Sequence, residues 1–440
     1  MTKILLVNPP IYDFAAYDLW AKPLALLYLS SMLKQQNINV QFFDYMDRLS
    51  PLIKSPESNK YGCGHYIKQI IQKPYIFKNI KRNYYRFGIP ENTATDYIKK
   101  LPVPNLIIIN SVMTYWYLGI IEVAKNLKEI FPKTPIVLGG IYATLCYEHA
   151  KTLKNIDDVV RGSLDNFNDI FKKYNIDVII NANFETMPIP DYSLYNKLEY
   201  IVTRIGLGCP FSCSYCAQKI LNNGIFKRKP PLIVKHEIDC LIGNNIKNVA
   251  FYDDALFYKA DDNIKILLKE YVKDNKQIYF HTPNGLHARY IDKELAELMF
   301  QTNFINPRVS LETSNNELQK YSDNKVNNNL FEAAINNLVK AGYKKGEYTS
   351  YLLVGHKYQK LEDIKKSIDF VHSLGAKVSL SEYSPIPLTK DWEKIDEKYK
   401  KDPLYQNNTY YTLNNNIIDI QQIKLYAKEL NKKLQSSFEN

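Results

Sequence analysis

Gly206-Leu207-Gly208-Cys209-Pro210-Phe211-Ser212-Cys213-Ser214-Tyr215-Cys216 places three of the chain's six cysteines within eight residues, spaced C-x3-C-x2-C. The run before it, Tyr200 to Ile205, is rich in β-branched residues and reads as a short strand. Ala217-Gln218-Lys219 then opens a loop. The cysteines therefore lie just past the end of a strand, where parallel α/β folds carry their chemistry. Three thiolates are one short of a structural zinc site, and no His stands within several residues to complete it. Thiolates also hold iron–sulfur clusters, which normally take four. A cluster held by three keeps one iron open for another ligand. Fortuitous clustering, or zinc completed by a distant residue, are the competing readings.

Working outward, strands are predicted at 200–205, 247–252, 277–281, 305–311, 348–354 and 377–383. Helices fall between them, among them Lys293 to Gln301, Leu330 to Ala341 and Leu361 to Leu374. Six βα units suit an open (β/α) barrel with working loops at the strand C-terminal ends. Residues 386–440 are polar and rich in Asn and Lys, with a closing helix expected from Asp419 to Leu434.

The N-terminal half opens as strand, helix, strand: Lys3 to Val7, Leu24 to Lys34, and Asn39 to Asp44. This βαβ start predicts a parallel sheet. The pattern resumes with a strand at 105–110, a helix at 118–130, a strand ending at Gly139-Gly140 and a short strand at 157–162. A glycine pair after a strand admits close backbone approach by a ligand, or makes a tight turn. Between these runs, about 51–100 shows no clear periodicity and reads as an irregular insertion of lid or binding type. Cys63 and His65 sit in it, more readily a buried thiol and a packed imidazole than a metal site. Residues 163–199 read as an extended, proline-bearing linker.

The 440 residues allow two or three domains, at roughly 150 residues each. At 45% hydrophobic and 23% charged, the composition is that of a globular protein. No apolar run reaches membrane-spanning length, and the N-terminus is too soon broken by prolines for a signal peptide. Clustered cysteines without an export signal point to metal in a reducing cytoplasm. The net charge of +11 is spread along the chain without a basic, aromatic-interleaved stripe, so nucleic acid is not the expected partner.

Both halves together resemble the cobalamin-binding radical SAM enzymes over roughly residues 1–390. In the first half the resemblance is carried by Leu5-Leu6-Val7-Asn8-Pro9-Pro10, by Asn110-Ser111-Val112-Met113-Thr114 and by Val137-Leu138-Gly139-Gly140-Ile141-Tyr142-Ala143-Thr144. In the second it is carried by the cysteine loop, Phe251-Tyr252-Asp253-Asp254, Val309-Ser310-Leu311-Glu312-Thr313 and Tyr383-Ser384-Pro385-Ile386-Pro387. The resemblance implies an α/β architecture. A Rossmann-like cobalamin-binding-type domain spans 1–162 and the linker 163–199. A partial (β/α)6 radical SAM barrel follows at 200–385, with a C-terminal extension at 386–440.

It also implies that Cys209, Cys213 and Cys216 hold a [4Fe-4S] cluster and that S-adenosylmethionine (SAM) chelates the open iron. One electron then cleaves SAM to a 5′-deoxyadenosyl radical, which abstracts hydrogen from substrate. By the same resemblance, Tyr215 would lie against the adenine. Asp253 and Asp254 would receive the methionine ammonium, and Ser310 and Glu312 would meet the ribose and methionine. Helix capping, turn polarity and plain packing compete for these residues. Ser111, Thr114, Gly139 and Gly140 would line the groove for the nucleotide tail of cobalamin, and Tyr115, Trp116 and Tyr117 could cover the corrin, the substrate or only the core.

Two features depart from the family. None of the seven His residues stands in a D-x-H-x-x-G context, and Arg161-Gly162-Ser163-Leu164-Asp165 replaces an acidic segment. The expected activity is methyl transfer from methylcobalamin to an unactivated carbon of a small-molecule or peptide substrate, with flavodoxin or ferredoxin as electron donor. Radical rearrangement or cyclisation without methyl transfer is the alternative. A methylthiotransferase would need a second three-cysteine set, and only Cys63 and Cys146 remain in the N-terminal half. A non-catalytic cobalamin or metal sensor would not need the βα units around the loop.

Overall fold

A computed structural model describes residues 2–243, 246–414 and 420–436. The chain forms two compact units, 1–199 with 396–406, and 200–395 with 407–440.

The first unit is built on a five-stranded parallel sheet. Its strands are β1 (Lys3–Asn8), β2 (Asn39–Asp44), β3 (Leu106–Ile109), β4 (Ile136–Leu138) and β5 (Asp158–Val159), in spatial order β5-β4-β3-β1-β2. β1 runs in register with β2 from Lys3↔Asn39 to Asn8↔Asp44, and with β3 from Ile4↔Leu106 to Val7↔Ile109. Ile4 to Val7 and Leu106 to Ile109 are buried, as the continuous apolar runs of a sheet covered on both faces require. Helix α1 (Leu24–Lys34) buries Leu26, Leu27, Leu29 and Leu33. Helix α2 (Tyr117–Ile130) buries Ile120, Val123, Ala124 and Leu127, one stripe at 3.6-residue spacing. The strand order reverses between β1 and β3, so the C-terminal ends of these strands form the topological switch point of a Rossmann-like sheet.

The segment read as an irregular insertion contains regular structure. Tyr84–Phe87 pairs antiparallel with both Ile11–Asp13 and Lys68–Ile71, and Glu91–Ile98 is a helix. Ile11, Met46, Tyr66 and Phe87 make a small core beneath this sheet. Cys63 is buried, as expected, whereas His65 is exposed rather than packed in the core.

The second unit carries six parallel strands in succession: β6 (Tyr200–Thr203), β7 (Asn248–Phe251), β8 (Tyr279–His281), β9 (Arg308–Glu312), β10 (Thr349–Val354) and β11 (Lys377–Glu382). β8 pairs with β7, and the continuation of its strand, Leu286–His287, pairs with β9, so one interrupted strand joins two sheets into an open barrel. Helices α3 (Pro231–Ile242), α4 (Ile264–Asp274), α5 (Lys293–Gln301), α6 (Asn328–Ala341) and α7 (Leu361–Ser373) alternate with the strands. Caps fix their ends. Asp292 accepts from Leu295 N at 2.8 Å, Asn327 accepts from Leu330 N at 2.9 Å, and Gly342 at φ +120° ends α6.

The C-terminal extension is divided. Residues 396–406 fold with the first unit, burying Tyr399 and Leu404, and α8 (Ile420–Ser436) lies along β11. Asp419, expected to begin that helix, falls outside the described residues. Asn431 of α8 accepts from Val378 N at 2.8 Å and donates to Val378 O at 2.9 Å, occupying backbone groups on the outer edge of β11.

Candidate functional site: a three-cysteine loop at the barrel mouth

The cysteine loop leaves the C-terminal end of β6, and carboxylates from other mouth loops hold its backbone. Asp253, just past β7, accepts from Gly206 N at 2.5 Å and from Ile205 N at 3.2 Å. Asp254 accepts from Gly208 N at 3.3 Å, and Asp323 from Ser212 N at 2.6 Å. The two aspartates expected to receive an ammonium thus bond peptide N–H groups of the loop. Burial pushes the Asp253 carboxyl up to about 7, against the pull of those N–H donors, and raises Asp254 as well.

All six cysteines are free, and the three of the loop are partly exposed. Burial, the largest cause, pushes the Cys209 thiol up to about 11 and Cys216 to about 12, and it also raises Cys213. The thiols add to this by repelling one another as thiolates. Lys325 opposes it, and its ammonium lies 3.0 Å from Glu312. Burial disfavours the charged form of Lys325, but Glu312 and Cys213 more than offset that and hold it protonated. Tyr215 is raised by burial first, then by Glu312 and the loop thiols.

Glu312 ends β9 at φ +67°, a left-handed conformation that costs a non-glycine residue about 1–2 kcal/mol. The ladder with β10 slips between Ser310 and Glu312, a bulge that re-aims the Glu312 side chain. Ser310 is buried, and a Cβ on Gly285 would lie 1.8 Å from its hydroxyl, which would have to turn away. His287, at the end of the interrupted strand, packs edge-on against Phe211 of the loop with centroids 5.0 Å apart. Its Nδ1 is enclosed without a hydrogen-bond partner. Burial first, then Lys325 and Arg289, hold the imidazole neutral.

Among the described residues no three His, Cys, Asp or Glu side chains are gathered to grip a single metal ion. Three thiols near one lysine are a donor set that fits an iron–sulfur cluster.

In the first unit, Ser111, Thr114, Gly139 and Gly140 all lie at the C-terminal edge of the sheet. Ser111 Oγ donates to Gly139 O at 2.6 Å and accepts from Ala143 N at 3.2 Å. Gly140 sits at φ +99°, and a Cβ there would meet Ser111 O at 2.3 Å. The glycine pair thus lets two loops of the protein close on each other. Thr114 is buried at the start of a 3-10 turn. Tyr115 and Tyr117 are core residues, and Trp116 donates to Asp13 at 2.8 Å.

Sequence reading missed Lys325 and His287. The first stands in an Asn- and Lys-rich stretch, and the second is a lone His in a Gly-Leu-His-Ala run. Neither carries a local pattern that separates it from surface polarity or core packing.

Residues 203–371 match the family model described as the radical SAM superfamily. An uncharacterized methyltransferase of Synechocystis sp. is 28% identical over 238 residues, covering 51% of this chain and 44% of that protein. The chain thus spans less than half the length of this curated relative. Among solved structures, the radical S-adenosylmethionine methyltransferase TsrM from Kitasatospora setae, with cobalamin and a [4Fe-4S] cluster bound, has a TM-score of 0.64. It is 14% identical, with 90% of this chain and 75% of that chain covered. The cobalamin-dependent S-adenosylmethionine radical enzyme OxsB, with aqua-cobalamin bound, has a TM-score of 0.61. It is 12% identical, with 94% of this chain and 56% of that chain covered. At these identities the likeness is one of fold. No described helix is long and apolar enough to cross a membrane.

Proposed function

We propose that the chain, whose residues 203–371 match the radical SAM superfamily model, is a radical SAM methyltransferase acting with cobalamin on an unactivated carbon. The observation that carries the reading is the three-thiol loop at the C-terminal mouth of a parallel barrel, faced by Lys325 and Glu312. When bound, the cluster and SAM supply one-electron cleavage to a 5′-deoxyadenosyl radical, and cobalamin supplies the methyl group.

The residues of the chain do the rest. Cys209, Cys213 and Cys216 would hold three irons. Lys325 is the cation suited to the SAM carboxylate, and Glu312 is the anion suited to its ammonium or ribose hydroxyls. Asp253 and Asp254 keep the loop in shape from behind. Ser111, Gly139 and Gly140 shape the edge of the first unit's sheet on which cobalamin would rest. The substrate is a small molecule or peptide, and a flavodoxin- or ferredoxin-type donor supplies the electron. Six free thiols suit the reducing cytoplasm.

A second reading, radical rearrangement or cyclisation without methyl transfer, draws support from Ser111, whose hydroxyl is already engaged within the protein. Anaerobic reconstitution should give about four irons per chain and SAM-derived 5′-deoxyadenosine. SAM carrying a labelled methyl, incubated with cell metabolites and followed by mass spectrometry, separates the readings. Label in a product supports methyl transfer, and 5′-deoxyadenosine without it supports the second reading. Absence of both iron and SAM cleavage overturns the proposal.

A further inference from the structure

A buried polar clasp borders the cysteine loop on the side that Asp253 and Asp254 do not reach. Asp391, just after the N-terminus of a short helix, Lys390–Glu393, is 4% exposed. Its Oδ1 accepts from Tyr321 Oη at 2.7 Å and its Oδ2 is 2.9 Å from His356 Nε2. Burial alone would raise this carboxyl. The His356 and Tyr321 hydrogen bonds outweigh it and hold it below the usual carboxylate range. His356 is itself buried and is ringed by Tyr321, Tyr358 and Tyr383, with centroids 5.0 to 5.9 Å away. The backbone N–H of Asp391 donates to Ser214 O at 3.0 Å, between Cys213 and Cys216. The three clasp side chains come from three different mouth loops. Tyr321 follows β9, His356 follows β10 and Asp391 follows β11.

We propose that Asp391 is a positioning residue for the cysteine loop: His356 and Tyr321 fix its carboxylate, and the fixed residue fixes Ser214 and with it the spacing of Cys213 and Cys216. Several observations lead there. A buried carboxylate with two donors is costly to leave half-satisfied, so it holds its backbone rigidly. The loop offers few backbone anchors of its own, with Cys216 N to Cys213 O at 3.0 Å closing a single turn. The clasp reaches the loop through a main-chain bond, whose acceptor, Ser214 O, is present whatever side chain stands at 214. Thr389 secures the same segment, accepting from Trp392 N at 3.3 Å. As a role toward a cluster, this rests on the function proposed above. As a statement about the loop, it does not.

The test uses the full chain, reduced, metal-free and anaerobic, with iodoacetamide as probe and mass spectrometry of each cysteine peptide. Cys240, exposed on α3, is the internal reference; buried Cys63 reports unfolding of the first unit, and far-UV circular dichroism of each variant reports unfolding of the second. Asp391→Ala is expected to raise the labelling rates of Cys213 and Cys216 about tenfold over Cys240, the counterpart of ~1.4 kcal/mol of lost ordering. Tyr321→Phe and His356→Phe should each raise them less. Asp391→Asn, which keeps an acceptor for one donor, should recover part of the protection.

If Asp391→Ala labels Cys63 or loses helical circular dichroism, the chain has unfolded, and Tyr321→Phe and Asp391→Asn decide alone. Unchanged labelling of Cys213 and Cys216 in all the folded variants overturns the proposal. In reconstituted protein, faster iron release to a chelator and altered g-values of the reduced cluster should accompany the labelling change. A wild-type chain that takes up no iron, with the labelling contrast intact, removes the proposed function and leaves the loop assignment standing.

Discussion

At the scale of single residues, Lys325 and the loop thiols make separable predictions. Cys213→Ala should abolish SAM cleavage and lower bound iron, read by deoxyadenosine formation and iron assay. Lys325→Met should keep most of the iron but weaken SAM binding about tenfold, or ~1.4 kcal/mol, with Lys325→Arg between the two, read by equilibrium binding of SAM. Asp253 predicts a pH effect. Its carboxyl is raised to about 7 in the fold, from about 3.9 unfolded. The folded chain therefore binds the extra proton, and stability from this group is complete below about pH 4 and lost as pH rises towards 7. Urea unfolding of wild type minus Asp253→Asn should fall with rising pH across that window, by up to ~1.4 kcal/mol per pH unit. The three cysteines were legible in sequence because their chemistry is local, one loop and one spacing. Lys325, His287 and the Asp391 clasp were not. Each matters through partners distant in sequence, 13 residues for Lys325 with Glu312, and 70 and 35 for Asp391 with Tyr321 and His356.

At the scale of elements, the two glycine environments offer a matched pair. Gly140 at φ +99° would bring a Cβ to 2.3 Å from backbone oxygen, whereas Gly224 at φ +68° has nothing within 4 Å. Gly140→Ala should cost ~2–4 kcal/mol by denaturant unfolding, from strain plus a clash that backbone cannot yield. Gly224→Ala should cost only the ~1 kcal/mol of the left-handed conformation. The main strands and helices were legible because burial enforces a period: α6 buries Phe331, Ala334, Ile335 and Leu338 at helical spacing. The small antiparallel sheet in the insertion was not. Its strands run three or four residues, and Ile70 in Lys68–Ile71 is 62% exposed, so the apolar alternation that marks a half-buried strand is broken. The bulge at Glu312 was equally hidden, since backbone handedness at a Glu leaves no trace in composition.

At the scale of the whole molecule, the chain passes back into its first unit late. Residues 396–406 supply buried Tyr399 and Leu404 there, and Asp402 accepts from Tyr117 Oη at 3.1 Å. Residues 1–199 expressed alone should therefore unfold at lower urea than the same fragment extended by a linker and 396–406, by ~3–5 kcal/mol for two buried side chains. Composition hid this, because the segment is as polar as its neighbours and only its partners mark it as core. The guarded edge of β11 has a different kind of consequence. A barrel left open ends in a strand whose outward amides could recruit a strand from another molecule. With Val378 N and O both taken by the Asn431 amide, that position is closed to such recruitment. The side chain acts as a one-residue counterfeit of a seventh strand.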